Sequence, residues 1–305
     1  MEMARVESPR YGPRARRGGV LLILALILLT GSRVSALGVV NGQGLLWKID
    51  NGDGGVSYLF GTIHSEDPSV STLPAVVEKA FMDSDQLVLE VVLDTSMMIY
   101  TSKAMLFTDG NRLSSVLGQQ LFREAASAME ERGIPERLLD RMKPWAVATA
   151  LAMPEMRTGM FLDYVLYTRA QEEGMPIHGL ETVQEQVGIF EDMSVEDQVA
   201  MLEETLQQRD LMEGIFTDLL QAYRARDLAR LVRINEELMA SGNRKLAEDL
   251  RARLINERNY RMADRLSAYL GAGNVFVAVG ALHLPGEEGI LRLLDKRGYT
   301  VTAVY

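Results

Sequence analysis

Asn274-Val-Phe-Val-Ala-Val-Gly280-Ala-Leu-His283 is the stretch on which the fold turns. Its unbroken apolar run, rich in β-branched residues and closed by a glycine, reads as a strand buried on both faces. Near the other end of the chain, Val56-Ser-Tyr-Leu-Phe-Gly61-Thr-Ile-His64 closes in the same way. Each strand therefore ends in Gly-x-x-His, just before a turn and a helix. In open α/β sheets that carboxyl edge is where ligands bind. A glycine three residues before each histidine lets another backbone or a ligand approach closely. The chain has 305 residues, three histidines and no cysteine. Imidazole chemistry is thus confined to His64, His178 and His283, of which His178 lacks the motif. Disulfides, cysteine nucleophiles and thiolate metal sites are excluded.

Working outward, Leu45–Ile49 and Val56–Phe60 form a hairpin around the turn Asn51-Gly-Asp-Gly-Gly55. That turn superficially resembles a calcium loop, but Thr62 stands where the bidentate glutamate belongs, so it reads as a plain turn. A helix over Leu73–Ser84 precedes a buried strand, Gln86–Leu93. Helical patterns run from Thr95 to about Glu173, broken at Gly110, Gly133-Ile-Pro135, Lys143-Pro144 and Pro154. Pro176–Glu181 is a short strand. Helices then follow to Leu270, and Glu288–Arg297 is a helix before a last strand, Tyr299–Tyr305. The pattern predicts an α/β fold: one mixed sheet built from N- and C-terminal strands, with a large helical insertion, in a single domain over residues 37–305.

Residues 1–36 read as a secretory signal peptide, with cleavage after Ala36. Five arginines precede an apolar run from Val20 to Leu29, too short to span a bilayer comfortably. An uncleaved anchor over residues 20–30 is the alternative. The expected location is periplasmic or extracellular, with membrane contact only through that segment. Removing it takes away six basic and two acidic residues, so the formal charge moves from −10 to −14. A chain this acidic is not built for nucleic acid backbones.

Glu90 is the third chemical element. It is a carboxylate inside Leu87-Val-Leu-Glu-Val-Val-Leu93, where burial costs several kcal/mol unless the charge is paired or bound to metal. Two imidazoles and a carboxylate form a familiar metal-ligand set. Without metal the same groups serve as general acid and base. In the structural alternative, the histidines cap their strands and Glu90 pairs with a buried arginine. No G-x-S-x-G, P-loop or dinucleotide fingerprint occurs.

The chain resembles the TraB/GumN family, which includes the Tiki metalloproteases. The resemblance rests on Tyr58-Leu-Phe-Gly-Thr-Ile-His64, Leu87-Val-Leu-Glu90, Lys143-Pro-Trp145, Gly179-Leu-Glu-Thr182 with Glu185-Gln186, Glu257-Arg-Asn259 and Val279-Gly-Ala-Leu-His-Leu284. It implies a fold shared with erythromycin-esterase-like and ChaN-like proteins. It also implies a site of His64, Glu90 and His283 that binds Mn or Co as in Tiki-like members; nitrogen and oxygen ligands without cysteine would accommodate a divalent Mn, Co, Zn or Fe. Arg258 matches the arginine of the family's R-N pair and would hold an oxyanion or a substrate carboxylate. Asn259 would support Arg258, and Glu181 would be a ligand or a residue behind the ligands. The expected activity is metal-dependent hydrolysis, of peptide bonds or of a small-molecule substrate. The alternative is a non-catalytic protein that sequesters a peptide or haem in the same cleft.

Overall fold

The computed structural model describes residues 40–53, 55–240 and 244–305. The expected signal segment, its cleavage point and the anchor alternative lie outside the described residues. Among the described residues no helix is long and apolar enough to cross a membrane.

Six strands form one mixed sheet: β1 (Leu46–Asp50), β2 (Val56–Thr62), β3 (Gln86–Leu89), β4 (Ile177–Gly179), β5 (Val275–Gly280) and β6 (Thr300–Ala303). Their order is β4-β3-β5-β2-β1-β6. The hairpin β1–β2 and the pair β1–β6 are antiparallel, whereas β2–β5, β5–β3 and β3–β4 are parallel. The fold is therefore α/β, with the N-terminal hairpin and the C-terminal strands joined in one sheet and a helical insertion between. β5 is central because it is apolar throughout; Val275 to Val279 are all fully buried. The hairpin turn is held by Asn51, whose Oδ1 accepts from the backbone of Asp53 and Gly55.

Several boundaries fall a few residues from expectation, and two of these differences bear on the site. β3 stops at Leu89, so Glu90 is not inside a strand but at its carboxyl tip. Val91-Val-Leu93 stay apolar because they still pack on the sheet core after the chain has left the ladder. The last helix is Ile290–Lys296, shorter than expected, since the Glu288 carbonyl is used instead by Asn259.

Apolar residues gather in two cores. One surrounds the sheet; the other is purely helical and includes Trp145, Phe190 and Leu202. The helix Val195–Arg224 belongs to both: Met201 and Leu202 sit in the helical core, Ala222 and Tyr223 against the sheet. Trp145 stacks on Phe190 at 5.3 Å, and its indole N–H donates to Glu191 at 2.7 Å. The Lys143-Pro-Trp145 motif is thus a brace within the helical core. A cavity of about 180 Å³ lies where the two cores face each other across the carboxyl edge of the sheet.

The two motif glycines have distinct steric neighbours. A Cβ on Gly61 would sit 2.8 Å from Leu284 Cδ1 and 3.1 Å from Ala281 Cα, so the first motif packs directly on the turn of the second. The Gly61 carbonyl also accepts from the buried Tyr223 hydroxyl at 2.7 Å. Gly61→Ala is expected to destabilise the protein by about 1–3 kcal/mol through this overpacking. Urea unfolding checks it; an unchanged midpoint would refute the tight junction.

Candidate active site at the carboxyl edge of the sheet

The four adjacent parallel strands each deliver one ionisable side chain to the same edge. Read across the sheet they are Glu181 after β4, Glu90 after β3, His283 after β5 and His64 after β2. Neighbouring strands lie about 4.8 Å apart, so adjacent members of this row come within side-chain reach of each other. His178 lies within β4 against Tyr269, 5.3 Å between ring centres, and does not line the cavity.

Arg258 anchors one end. It is 1% exposed, on the helix Glu257–Leu270 just after a π-helical turn over Ala252–Asn256. Its Nη2 donates to Glu90 Oε2 at 2.5 Å, and its Nε to Glu181 Oε2 at 2.8 Å. Nη1 reaches the Leu254 carbonyl inside the π turn at 3.3 Å. Gln186 donates to both carboxylates, at 3.4 Å to Glu90 and 3.2 Å to Glu181. Burial opposes the charge on Arg258, but Glu90 and Glu181 outweigh it and raise its pKa. The resemblance assigned Arg258 to an oxyanion or a substrate carboxylate. In the structure the guanidinium is bonded to two protein carboxylates, and it fixes the pose of Glu90. The resemblance likewise gave Glu181 a place at or behind the ligands, and here it is bonded to Arg258 behind Glu90.

Glu90 is held on both oxygens. Besides Arg258, the Gly280 N–H donates to Oε1 at 2.7 Å. A Cβ on Gly280 would lie 3.3 Å from that oxygen, so the second motif's glycine leaves room for the carboxylate. Burial raises the Glu90 carboxyl more than any other single influence. The Arg258 charge and further partners overcome it and hold the pKa at about 2.

His283 is 2% exposed, in the short 3-10 turn that follows β5. Its Nδ1 lies 2.6 Å from Asn259 Oδ1. The Asn259 amide is oriented because its Nδ2 donates to the Glu288 carbonyl at 2.8 Å. The oxygen facing His283 can only accept, so Nδ1 carries the proton and Nε2 presents a lone pair. Asn259 therefore supports His283, where the resemblance had it support Arg258. Burial pushes the His283 pKa down, with the Arg258 charge assisting and Glu90 opposing, to about 3. The ring is neutral at pH 7. Its Nε2 faces Glu90 Oε1 at 3.6 Å, two acceptors with no proton between them.

His64 stands on the other side of His283, its side chain 22% exposed. Its Nε2 lies 3.0 Å from Oδ2 of Asp163, a buried carboxylate whose other oxygen accepts from Thr62 at 2.8 Å. Asp163 is a site residue that the sequence did not single out. The structure brings Glu90 to His283 and His64 to Asp163. Among the described residues no three histidine, aspartate or glutamate side chains converge on one ion position. The nitrogen and oxygen donor types suit Mn, Co, Fe or Zn, and the unprotonated pair Glu90–His283 fits a cation.

These shifts predict acid lability. Between pH 6.5 and 3 the unfolded chain binds a proton on His283 that the folded chain refuses, so stability falls as pH falls. Glu90 adds to the loss as pH drops from 4.5 toward 2, the unfolded carboxyl being protonated first. Thermal melts should show a declining midpoint from about pH 6.5 downward. A midpoint flat to pH 4 would contradict a buried neutral His283.

The molecule is a helix-covered α/β sheet with two histidines and a carboxylate–guanidinium cluster at its carboxyl edge, lining a cleft. The chain belongs to the TraB/PrgY/gumN family, whose sequence model matches residues 45–303. It is similar to the metalloprotease TIKI2 of Danio rerio, 26% identical over 80% of this chain and 58% of that protein. Metalloprotease TIKI1 of the same organism is 24% identical over 80% of this chain and 60% of its own length. An uncharacterized protein YbaP of Escherichia coli (strain K12) is 24% identical over 78% of this chain and 87% of that protein. The chain thus spans less than two thirds of the TIKI proteins' length but most of YbaP. No solved structure gives a significant match.

Proposed function

We propose that the protein is a metal-dependent hydrolase of peptide bonds that works outside the cytoplasm. The observation that carries this reading is the facing pair His283 Nε2 and Glu90 Oε1, 3.6 Å apart, with Nδ1 of His283 turned away to Asn259 Oδ1. A divalent cation satisfies two such acceptors. Glu90 and His283 would hold it, with His64 drawn in from the adjacent strand. When bound, such an ion lowers the pKa of its water and polarises a carbonyl. Arg258 keeps Glu90 ionised and oriented, and Asn259 keeps the reactive nitrogen of His283 toward the cleft. The naming of two relatives as metalloproteases supports the same reading. The basic-then-apolar N-terminal sequence supports a periplasmic or extracellular site of action.

The test is elemental analysis of the purified protein, followed by a peptide library digested with and without chelator. Cleavage that chelator abolishes and added Mn, Co, Zn or Fe restores is the expected result. A second reading, a non-catalytic binder of a peptide or haem, draws on the apolar lining of the cavity, including Phe161, Phe190, Ile215 and Phe216. Tight retention of such a ligand without turnover would select it and overturn the hydrolase reading.

A further inference from the structure

Each Gly-x-x-His histidine meets a side chain from a helix, and the two partners take different ring nitrogens. Asn259, in the first turn of Glu257–Leu270, takes Nδ1 of His283. Asp163, in the first turn of the helix Leu162–Glu172, faces Nε2 of His64. Asp163 is 7% exposed and is fixed through Oδ1 by Thr62, which lies two residues before His64. Its Oδ2 is buried and has no aligned hydrogen-bond donor, although His64 Nε2 lies only 3.0 Å away. A buried carboxylate oxygen left without a donor costs about 1–3 kcal/mol, more when charged. An Nε2–H on His64 is the donor within reach of that oxygen. Phe161 packs edge-on to the ring at 5.3 Å and 68°, leaving it a defined plane in which to settle. Among the described residues, Nδ1 of His64 makes no hydrogen bond.

We propose that Asp163 is a positioning residue that fixes His64 as the Nε2–H tautomer, so that the two motif histidines present opposite ring nitrogens to the cleft, Nδ1 from His64 and Nε2 from His283. The assignment of work to those nitrogens rests on the hydrolase reading above; the tautomers themselves do not. A hydrogen-bond partner on one ring nitrogen of a working imidazole orients the ring and fixes its tautomer. Asp163 would do this for His64, Asn259 for His283.

Three histidines make the test tractable. Long-range 1H–15N correlation spectra of the metal-free, 15N-labelled protein at pH 7.5 report which nitrogen of each ring carries the proton, with His178→Gln assigning the third ring. The expected spectrum has His64 protonated at Nε2 with a downfield, slowly exchanging proton, and His283 protonated at Nδ1. Asp163→Ala should abolish the His64 downfield proton and mix its tautomers while leaving His283 unchanged. Asp163→Leu, close in size and without an acceptor, serves the same purpose if the alanine variant does not fold. Adding Zn2+ to wild type should shift Nδ1 of His64 and leave its Nε2 proton in place. His64 protonated at Nδ1 in wild type, a spectrum unmoved by either variant, or loss of the Nε2 proton on Zn2+ addition would each overturn the proposal. The last of these would instead make Asp163 and Nε2 metal donors. Failure of wild type to take up any metal would sink the hydrolase reading, while the metal-free spectrum still decides the tautomers.

Discussion

Arg258→Leu should destabilise the protein by about 3–5 kcal/mol, the loss expected when one member of a buried ion cluster is removed. Arg258 Nη2 lies 2.5 Å from Glu90 Oε2 and 2.8 Å from Glu181 Oε2, and the Glu181 side chain is fully buried. Leucine would leave two carboxylates close together, with Arg261 at 3.4 Å from Glu181 as the nearest remaining cation for that group. Like charges then repel in a medium that solvates them poorly. Urea unfolding measures the loss. Arg258→Leu/Glu181→Gln should recover part of it, because the second change removes one of the stranded charges. A loss below about 1 kcal/mol in the single variant would mean that water already solvates the cluster.

The second large effect concerns chemistry rather than stability. If the protein is the metal-dependent hydrolase proposed above, His64→Ala/His283→Ala should lose divalent-metal uptake and reduce peptide cleavage by at least about 100-fold, the lower range for removing groups that hold or activate the attacking water. The fold should survive in a cooperative form. His64 borders the cavity and is partly exposed, and the strands β2 and β5 pair through backbone bonds that the substitutions do not touch. Calorimetric metal titration and a chelator-controlled cleavage assay read the two effects separately. Full metal content and full cleavage in the double variant would refute the assignment.

The architecture was largely legible because the parallel strands advertise themselves. β5 is too apolar to be anything but buried on both faces, and the element order joins N- and C-terminal strands in one sheet; in the structure Thr62 pairs with Gly280 in register. The row of site residues follows from that adjacency. What sequence obscured is side-chain direction. Arg258 and Asn259 are consecutive on a helix, so they point about 100° apart and cannot share a partner. Arg258 meets Glu90 and Glu181 while Asn259 meets His283. Asp163 was hidden for another reason. An acid in the first turn of a helix ordinarily complements the helix dipole, and its contact with His64 spans 99 positions of chain. Glu90 looked like a buried strand residue because the apolar run continues past it, whereas hydrogen bonding in β3 ends one residue earlier. Gln186 followed a capping-box threonine and glutamate, and its bonds to two carboxylates carry no local signature.

The proposed function needs Glu90, His283 and His64 to close on one divalent cation at the carboxyl edge of the sheet. It is tested most directly by a crystal structure of the protein soaked in Mn2+, with data collected at the manganese edge. The expected result is an anomalous peak in contact with His283 Nε2 and Glu90 Oε1, with His64 moved toward it. A protein saturated with Mn2+ and showing no peak there, or a peak that touches neither histidine, would contradict it.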